Sequence, residues 1–95
     1  MKHCILAKWK ETVSDKAALL AQVTALYRAA DSISGVHSVQ IYPCCIDRPN
    51  RYDLMIVLDM DKSALLAWDA SAVHHQWKEQ YGMLLEKKAI FDYES

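Results

Sequence analysis

The sequence has 95 residues, of which 53% are hydrophobic and 24% are charged, and its formal net charge is −1. A chain of this length and composition builds one core, so we expect a single domain over residues 1–95. The near-zero charge gives no electrostatic reason to bind nucleic acid or an anionic membrane, and no apolar run reaches the roughly 18 residues that a membrane span needs. Because the sequence also lacks a secretory leader pattern, we expect a cytoplasmic protein whose three cysteines stay reduced.

The first half of the chain predicts a strand, a helix and a second strand. Residues 2–10 alternate between two faces that both carry apolar side chains, so we expect a strand covered on both sides. One face of this strand consists of His3, Ile5, Ala7 and Trp9. A helix capped by Ser14 follows and ends near Gly35, and its buried stripe has helical spacing. The stripe consists of Leu19, Val23, Leu26, Ala30 and Ile33, and Leu20 and Tyr27 widen it. Val36 to Tyr42 is the second strand.

A loop and the most regular strand come next. Residues 43–51 hold two prolines and two adjacent cysteines and form the long loop of the chain. Cys44 and Cys45 could sense oxidants, but ordinary exposed thiols are the favoured interpretation. From Tyr52 to Met60 the side chains alternate strictly, so this segment predicts a third strand.

Two helices and a last strand complete the chain. A short helix begins at Asp61 and breaks near Ser71, and a longer helix runs from about Ala72 to Lys87. Gly82 within it costs about 1 kcal/mol relative to alanine, so we expect close packing at that position. The last strand covers residues 88–93. Two tryptophans and two histidines flank the break between the helices, namely Trp68, His74, His75 and Trp77.

The order of these elements predicts an α+β fold of the ferredoxin-like type. Such a fold has a four-stranded antiparallel sheet with helices on one face. The other face also carries apolar residues, including Leu6 and either Met55 and Val57 or the residues that alternate with them. A bare apolar sheet of this size needs a partner, so we expect two copies to pack face to face as a homodimeric α+β barrel.

Several short segments are informative as a set, namely Lys2-His3 with Lys8-Trp9-Lys10, Ile33-Ser34-Gly35-Val36, Tyr52-Asp53-Leu54, His74, and Phe91-Asp92-Tyr93-Glu94. At these spacings they resemble the stress-responsive dimeric α/β-barrel (Dabb) domain family over essentially the whole chain. The resemblance implies a small dimeric barrel with a pocket between sheet and helices in each subunit. One plant member is a polyketide cyclase that works without a cofactor, through a histidine on the last helix paired with a tyrosine. His74 matches that histidine, Trp68 stands in place of the tyrosine, and Ser71-Ala72 stand where the family has His-Pro.

His74 is the candidate catalytic residue. An imidazole titrates near neutral pH and can move a proton on or off a carbon next to a carbonyl group. His3 can share the same space and form an acid/base pair with it, although a strand-end histidine satisfied by the backbone is the simpler interpretation. Further residues that could line a pocket for a small apolar or aromatic ligand are Ile5, Ala7, Tyr52, Trp68, Trp77 and Tyr81. We expect His75 to point into solvent, and no set of residues has the spacing of a metal site.

Two functions of different classes fit these features. The first is a ligand-binding domain or cofactor-independent enzyme that acts on a small apolar, aromatic or ketonic compound through His74. The second is a stress-associated structural dimer without chemistry, in which aromatic side chains fill the space beside His74. No motif identifies a substrate.

Overall fold

The computed structural model describes the whole chain, Met1 to Ser95. Its strands are β1 (Lys2–Trp9), β2 (Val36–Pro43), β3 (Leu54–Met60) and β4 (Leu85–Tyr93), and its helices are α1 (Lys16–Tyr27), α2 (Leu65–Asp69) and α3 (Ala72–Tyr81). The strands pair antiparallel in the order β2-β3-β1-β4. This topology confirms the predicted ferredoxin-like α+β fold. None of the helices is both long enough and apolar enough to cross a membrane.

The core lies between the sheet and the helices, and strict alternation decides which strand residues enter it. In β1 the inner residues are His3, Ile5, Ala7 and Trp9, and in β3 they are Leu54, Ile56, Leu58 and Met60; all eight are buried. Ile5 lies opposite Ile56 on one side and Ile90 on the other. These side chains form one hydrophobic cluster with Val23, Tyr27 and Ala30 from the first helical segment and with Trp68, Val73, Trp77 and Tyr81 from α2 and α3.

The outer face of the sheet carries two apolar rows that cross neighbouring strands. One row runs Tyr42, Met55, Leu6 and Ala89, and the next runs Gln40, Val57, Cys4 and Phe91. Tyr42 and Phe91 are exposed. Beyond the second row, Lys2 forms an ion pair of 2.8 Å with Asp59. This arrangement decides the alternative that the sequence left open: Met55 and Val57 point away from the helices, and together the two rows form the outer apolar face.

Residues at the ends of the first helical segment determine where it starts and stops. The N-cap of α1 is Asp15, whose carboxylate accepts a hydrogen bond of 3.0 Å from the Ala18 amide, so the prediction of Ser14 was off by one residue. After Tyr27 the chain tightens into a 3₁₀ turn that continues to Ser32. Gly35 follows with φ of +89°, and a Cβ added there would lie 2.7 Å from the Cβ of Ala64. The predicted left-handed glycine is confirmed.

The last helix is shorter than the sequence indicated. It ends at Tyr81, a 3₁₀ turn covers Gly82–Leu84, and β4 begins at Leu85, so the predicted helix end at Lys87 was wrong. The expectation of close packing at Gly82 was wrong as well, because no atom lies within 4 Å of a Cβ built there. Gly82 sits where the helix ends, which is a position that tolerates glycine at low cost.

Candidate functional site

The Trp68 indole lies at the centre of a cluster of side chains. The cluster includes two other predicted site residues, His3 and His74. Its ring centroid lies 5.3 Å from that of His74, 5.6 Å from that of Tyr27 and 6.4 Å from that of His3. Trp68 is the penultimate residue of the short helix α2 and is only 1% exposed. We call His3, Tyr27, Trp68, His74 and Asp92 the Trp68 cluster, since Asp92 holds the His3 ring as described next.

A carboxylate orients His3. His3 lies on β1 with 4% exposure, and its Nδ1 is hydrogen-bonded to Oδ1 of Asp92 on β4. The pairing of β1 with β4 places the two residues directly opposite each other. Because a carboxylate accepts, Nδ1 of His3 carries a proton, and in the neutral form of the ring Nε2 presents its lone pair. Nε2 itself forms no hydrogen bond. The contact with Asp92 fixes the orientation of the His3 ring.

The start of α3 orients His74 in the same way. Ser71 caps this helix, and its Oγ accepts a hydrogen bond of 3.2 Å from the His74 amide. Nδ1 of His74 donates to the carbonyl oxygen of Asp69 at 2.9 Å, which leaves Nε2 as the free acceptor. The side chain is half-buried. His75 is exposed and donates to the Ser71 carbonyl at 2.8 Å, as expected for a residue that points away from the core.

The Tyr27 hydroxyl has no hydrogen-bond partner although the whole residue is buried. Tyr27 is 0% exposed, and Oη is the one buried side-chain nitrogen or oxygen without a partner. Its ring packs between Trp68 at 5.6 Å and Trp77 at 5.7 Å. Burial raises the pKa of the phenol, so the group stays protonated and can act as a donor. A buried hydroxyl without a protein partner costs free energy, and this one is free to donate to a carbonyl group of a small molecule.

The other predicted lining residues divide between the core and a separate cleft. Ile5 and Ala7 lie in the sheet beneath the helices at 2% and 0% exposure. Trp77 and Tyr81 are buried on α3 with ring centroids 5.8 Å apart, and Tyr81 Oη donates to Gln22 at 3.3 Å. The aromatic rings therefore contact one another and leave little room between them. Neither of the two best-defined pockets reaches His74.

Tyr52 borders a cleft of about 590 Å³ at the other end of β1. The cleft lies between the start of α1, the end of β1 and the loop that connects β2 to β3, and we call it the loop cleft. Trp9 lines it, whereas His3 lies six residues earlier on the same strand. At about 3.3 Å per residue the two positions are roughly 20 Å apart. Tyr52 thus borders a cleft at the opposite end of β1 from His3.

Two members of the cluster were not identified from the sequence. Asp92 is 89 residues away from His3, and only the register of β1 against β4 brings them together. The available signal in the sequence was spacing. Asp92 follows Ile90 by two residues, and alternate residues of a strand share a face, so both lie on the inner face of β4. Tyr27 was recognised only as part of the apolar stripe of the helix. No group of three or more His, Cys, Asp or Glu side chains is positioned to hold a metal ion.

Comparison with solved structures identifies the same fold in other proteins. A dimeric ferredoxin-like protein of unknown function from Bacteroides fragilis superimposes with a TM-score of 0.83 at 15% identity, covering 99% of this chain and 94% of the other. A Dabb family protein from Mesorhizobium loti gives 0.74 at 14% identity and covers 99% and 94%. A hydroxynitrile lyase from Passiflora edulis gives 0.74 at 15% identity and covers 97% and 89%. These likenesses establish the fold. No family model and no curated protein matches the chain.

Proposed function

We propose that the protein is a homodimeric α+β barrel of the Dabb type that binds a small, uncharged carbonyl compound at the Trp68 cluster. His74 and His3 would move protons on that compound without a cofactor. The observation that supports a ligand is the buried Tyr27 hydroxyl, to which no other group of the protein is hydrogen-bonded. We also propose a cytoplasmic location, where the three free thiols would stay reduced.

The outer apolar face supports the dimer. Its two rows put Leu6, Met55, Val57 and Phe91 on a surface that no helix of the same chain covers. Contiguous apolar surface on this scale is typical of an interface, and a twofold axis lets the same surface serve both copies. Structural neighbours such as the Bacteroides fragilis protein are described as dimeric.

The geometry of the cluster supports acid/base chemistry on a carbonyl compound. Both imidazoles carry their proton on Nδ1, so Nε2 of His74 can remove a proton from the carbon next to a carbonyl. The electron pair of that C–H bond then moves to the carbonyl oxygen as the enolate forms. The Tyr27 hydroxyl can donate to this oxygen, which would satisfy it. The Passiflora edulis neighbour shows that this fold can carry an enzyme.

Ligand binding requires the Trp68 indole to move, because it fills the space between the two imidazoles. The indole is attached near the junction of α2 and α3, and α2 has only five residues. A helix this short has little stability of its own, so it can shift at lower cost than α1 or α3.

The experiment for the ligand is a thermal-shift series with aromatic ketones and β-diketones on four forms of the protein. We expect a shift for the wild type and for His75→Ala, whose side chain lies outside the cluster. The shift should be lost in His74→Ala and in Tyr27→Phe. No shift with the wild type, or equal shifts in all four forms, would rule out binding at this cluster.

The experiment for the dimer is light scattering coupled to size exclusion on two matched variants. Leu6→Asp puts a charge on the outer apolar face and should give a monomer. Leu66→Asp is the control, because Leu66 is 80% exposed on α2, away from that face. A wild type that elutes as a monomer at micromolar concentration would contradict the dimer.

The second candidate function is a structural dimer without chemistry. It is favoured by the contacts among Trp68, Tyr27, Trp77 and Tyr81, which fill the space that a ligand would need. In that case the unpartnered hydroxyl is simply a cost of packing, and the thermal-shift series stays flat for every compound.

A further inference from the structure

We propose that the loop cleft is a second binding site and takes a small monocarboxylate with an apolar body, whose carboxylate is received by Arg48 and Arg51. This proposal does not depend on the proposed function, because the cleft lies roughly 20 Å along β1 from His3.

The size and floor of the cleft suit a small organic molecule. Its volume of about 590 Å³ falls within the range of small-molecule pockets. Trp9 and Leu54 line it at 3% exposure each and are fixed in the core, and Leu20 of α1 and Ile46 of the loop add apolar walls. Such a floor favours an aryl or alkyl body over a bare inorganic anion.

The charges of the lining favour an anionic head group. Four cationic side chains line the cleft, namely Lys8, Lys16, Arg48 and Arg51, against three anionic ones, namely Glu11, Asp47 and Asp53. Glu86, which lies 3.7 Å from Lys8 but outside the lining, offsets this excess of one positive charge, so the preference for an anion depends on Arg48 and Arg51 rather than on the net charge.

Two of these cations are already paired with fixed partners. Lys16 Nζ lies 2.9 Å from Asp53 Oδ1, and this hydrogen bond raises the pKa of the ammonium group. The other oxygen of Asp53 accepts from the Trp9 amide at 2.8 Å, so its carboxylate is satisfied. Lys8 donates to the Pro49 carbonyl and lies 3.7 Å from Glu86.

The two arginines retain their capacity to bind an anion. Arg48 makes no ion pair or side-chain hydrogen bond, and Arg51 donates only to the neutral Asn50 amide, at 2.7 Å. They stand at the two ends of one turn, which is closed by the Arg51 amide donating to the Arg48 carbonyl at 3.1 Å. A guanidinium matches a carboxylate with two parallel hydrogen bonds, and two of them on one turn can share a single head group.

The test is a titration followed by amide NMR, with 3-phenylpropanoate as the probe and the neutral 3-phenylpropanamide as its matched control. We expect the carboxylate to shift the resonances of residues 43–54 and Leu20, and to bind about tenfold or more tightly than the amide. The double variant Arg48→Gln/Arg51→Gln should weaken carboxylate binding by about the same factor. Arg28→Gln removes a charge at the end of α1, outside the cleft, and should leave carboxylate binding unchanged.

Three results would overturn the proposal. The first is no resonance shift at millimolar 3-phenylpropanoate in the wild type. The second is equal affinity for the acid and the amide, which would remove the role of the arginines. The third is equal affinity for inorganic phosphate, which would mean that the apolar floor contributes nothing. Because Arg48 and Arg51 lie in an exposed loop, a well-dispersed spectrum of the double variant shows directly that it is folded.

Discussion

Replacing Tyr27 by phenylalanine should make the free protein more stable. The hydroxyl is buried without a partner, and leaving such a group unpaired costs about 1–3 kcal/mol. The phenylalanine ring keeps the contacts with Trp68 and Trp77 that hold the tyrosine ring. The expected gain is therefore about 1–3 kcal/mol, which is a substantial part of the roughly 5–15 kcal/mol that holds a domain together.

Urea unfolding at a fixed protein concentration measures this gain. For a slope of about 2 kcal/mol per molar urea, the midpoint should rise by about 0.5–1.5 M. In a thermal melt, each 1 kcal/mol should add about 4–8 °C for a domain of this size. Fixed concentration matters, because the apparent stability of a dimer depends on it.

Tyr81→Phe is the matched control. The Tyr81 hydroxyl donates to Gln22 at 3.3 Å, so its loss should destabilise the protein by about 0.5–1.5 kcal/mol. If Tyr27→Phe were as destabilising as Tyr81→Phe, the Tyr27 hydroxyl would have to be bonded in solution, and the reasoning from an unpaired group would be refuted. A stabilised Tyr27→Phe that also loses ligand binding would show that the hydroxyl is kept for function at the expense of stability.

Three further predictions concern pH, backbone and thiols. Burial raises the pKa of Tyr27 above its ordinary value of 10.0, so above about pH 10 the unfolded chain releases a proton that the folded chain holds. The free energy of unfolding, measured by urea titration, should then fall by about 1.4 kcal/mol per pH unit. It should fall less steeply in Tyr27→Phe, which lacks the phenol. Gly35→Ala should cost at least about 1–3 kcal/mol in a thermal melt, because φ is +89° there. Cys44 and Cys45 should react with Ellman's reagent about tenfold or more faster than Cys4, since burial raises the pKa of the Cys4 thiol.

Each of these predictions has a direct counter-observation. Parallel pH profiles for the wild type and Tyr27→Phe would contradict the raised phenol pKa. Gly82→Ala is the control for Gly35→Ala and should stabilise by about 0.4–1 kcal/mol, because its surroundings are open and φ is −55°. Equal losses in both glycine variants would contradict the argument from positive φ. Three equally fast thiols would mean that Cys4 is not protected.

Strand patterns predicted most of the fold because alternation reflects the two environments of a sheet. The two alternating sets of β3 follow directly from the sequence, whereas the structure was needed to place Leu54 and Ile56 inside and Met55 and Val57 outside. The start of β4 did not follow, because Leu84 and Leu85 are apolar and fit a helix stripe as well as a strand. The chain resolves this ambiguity through a 3₁₀ turn at Gly82–Leu84, which periodicity does not reveal.

Three residues of the candidate site were predictable from the sequence, but the other two and the arrangement of all five were not. The sequence identified His74, His3 and Trp68 as candidates, and the structure brings their rings together. It did not pair His3 with Asp92, because that contact depends on the register of strands far apart in the chain. It also did not show that Tyr27 packs between two tryptophans, since a helix stripe gives the side that is buried and not the partner that it meets.

The aromatic contacts also give the protein an internal optical probe. Trp9, Trp77, Tyr27 and Trp68 form a continuous series of ring contacts, with centroids 6.3, 5.7 and 5.6 Å apart. All three tryptophans of the chain belong to this series. Excitation can pass among rings this close, so near-ultraviolet circular dichroism and fluorescence will report the packing of the whole core as one signal. A spectral change on adding a compound would then reveal that the core has rearranged, even where the average fold stays the same.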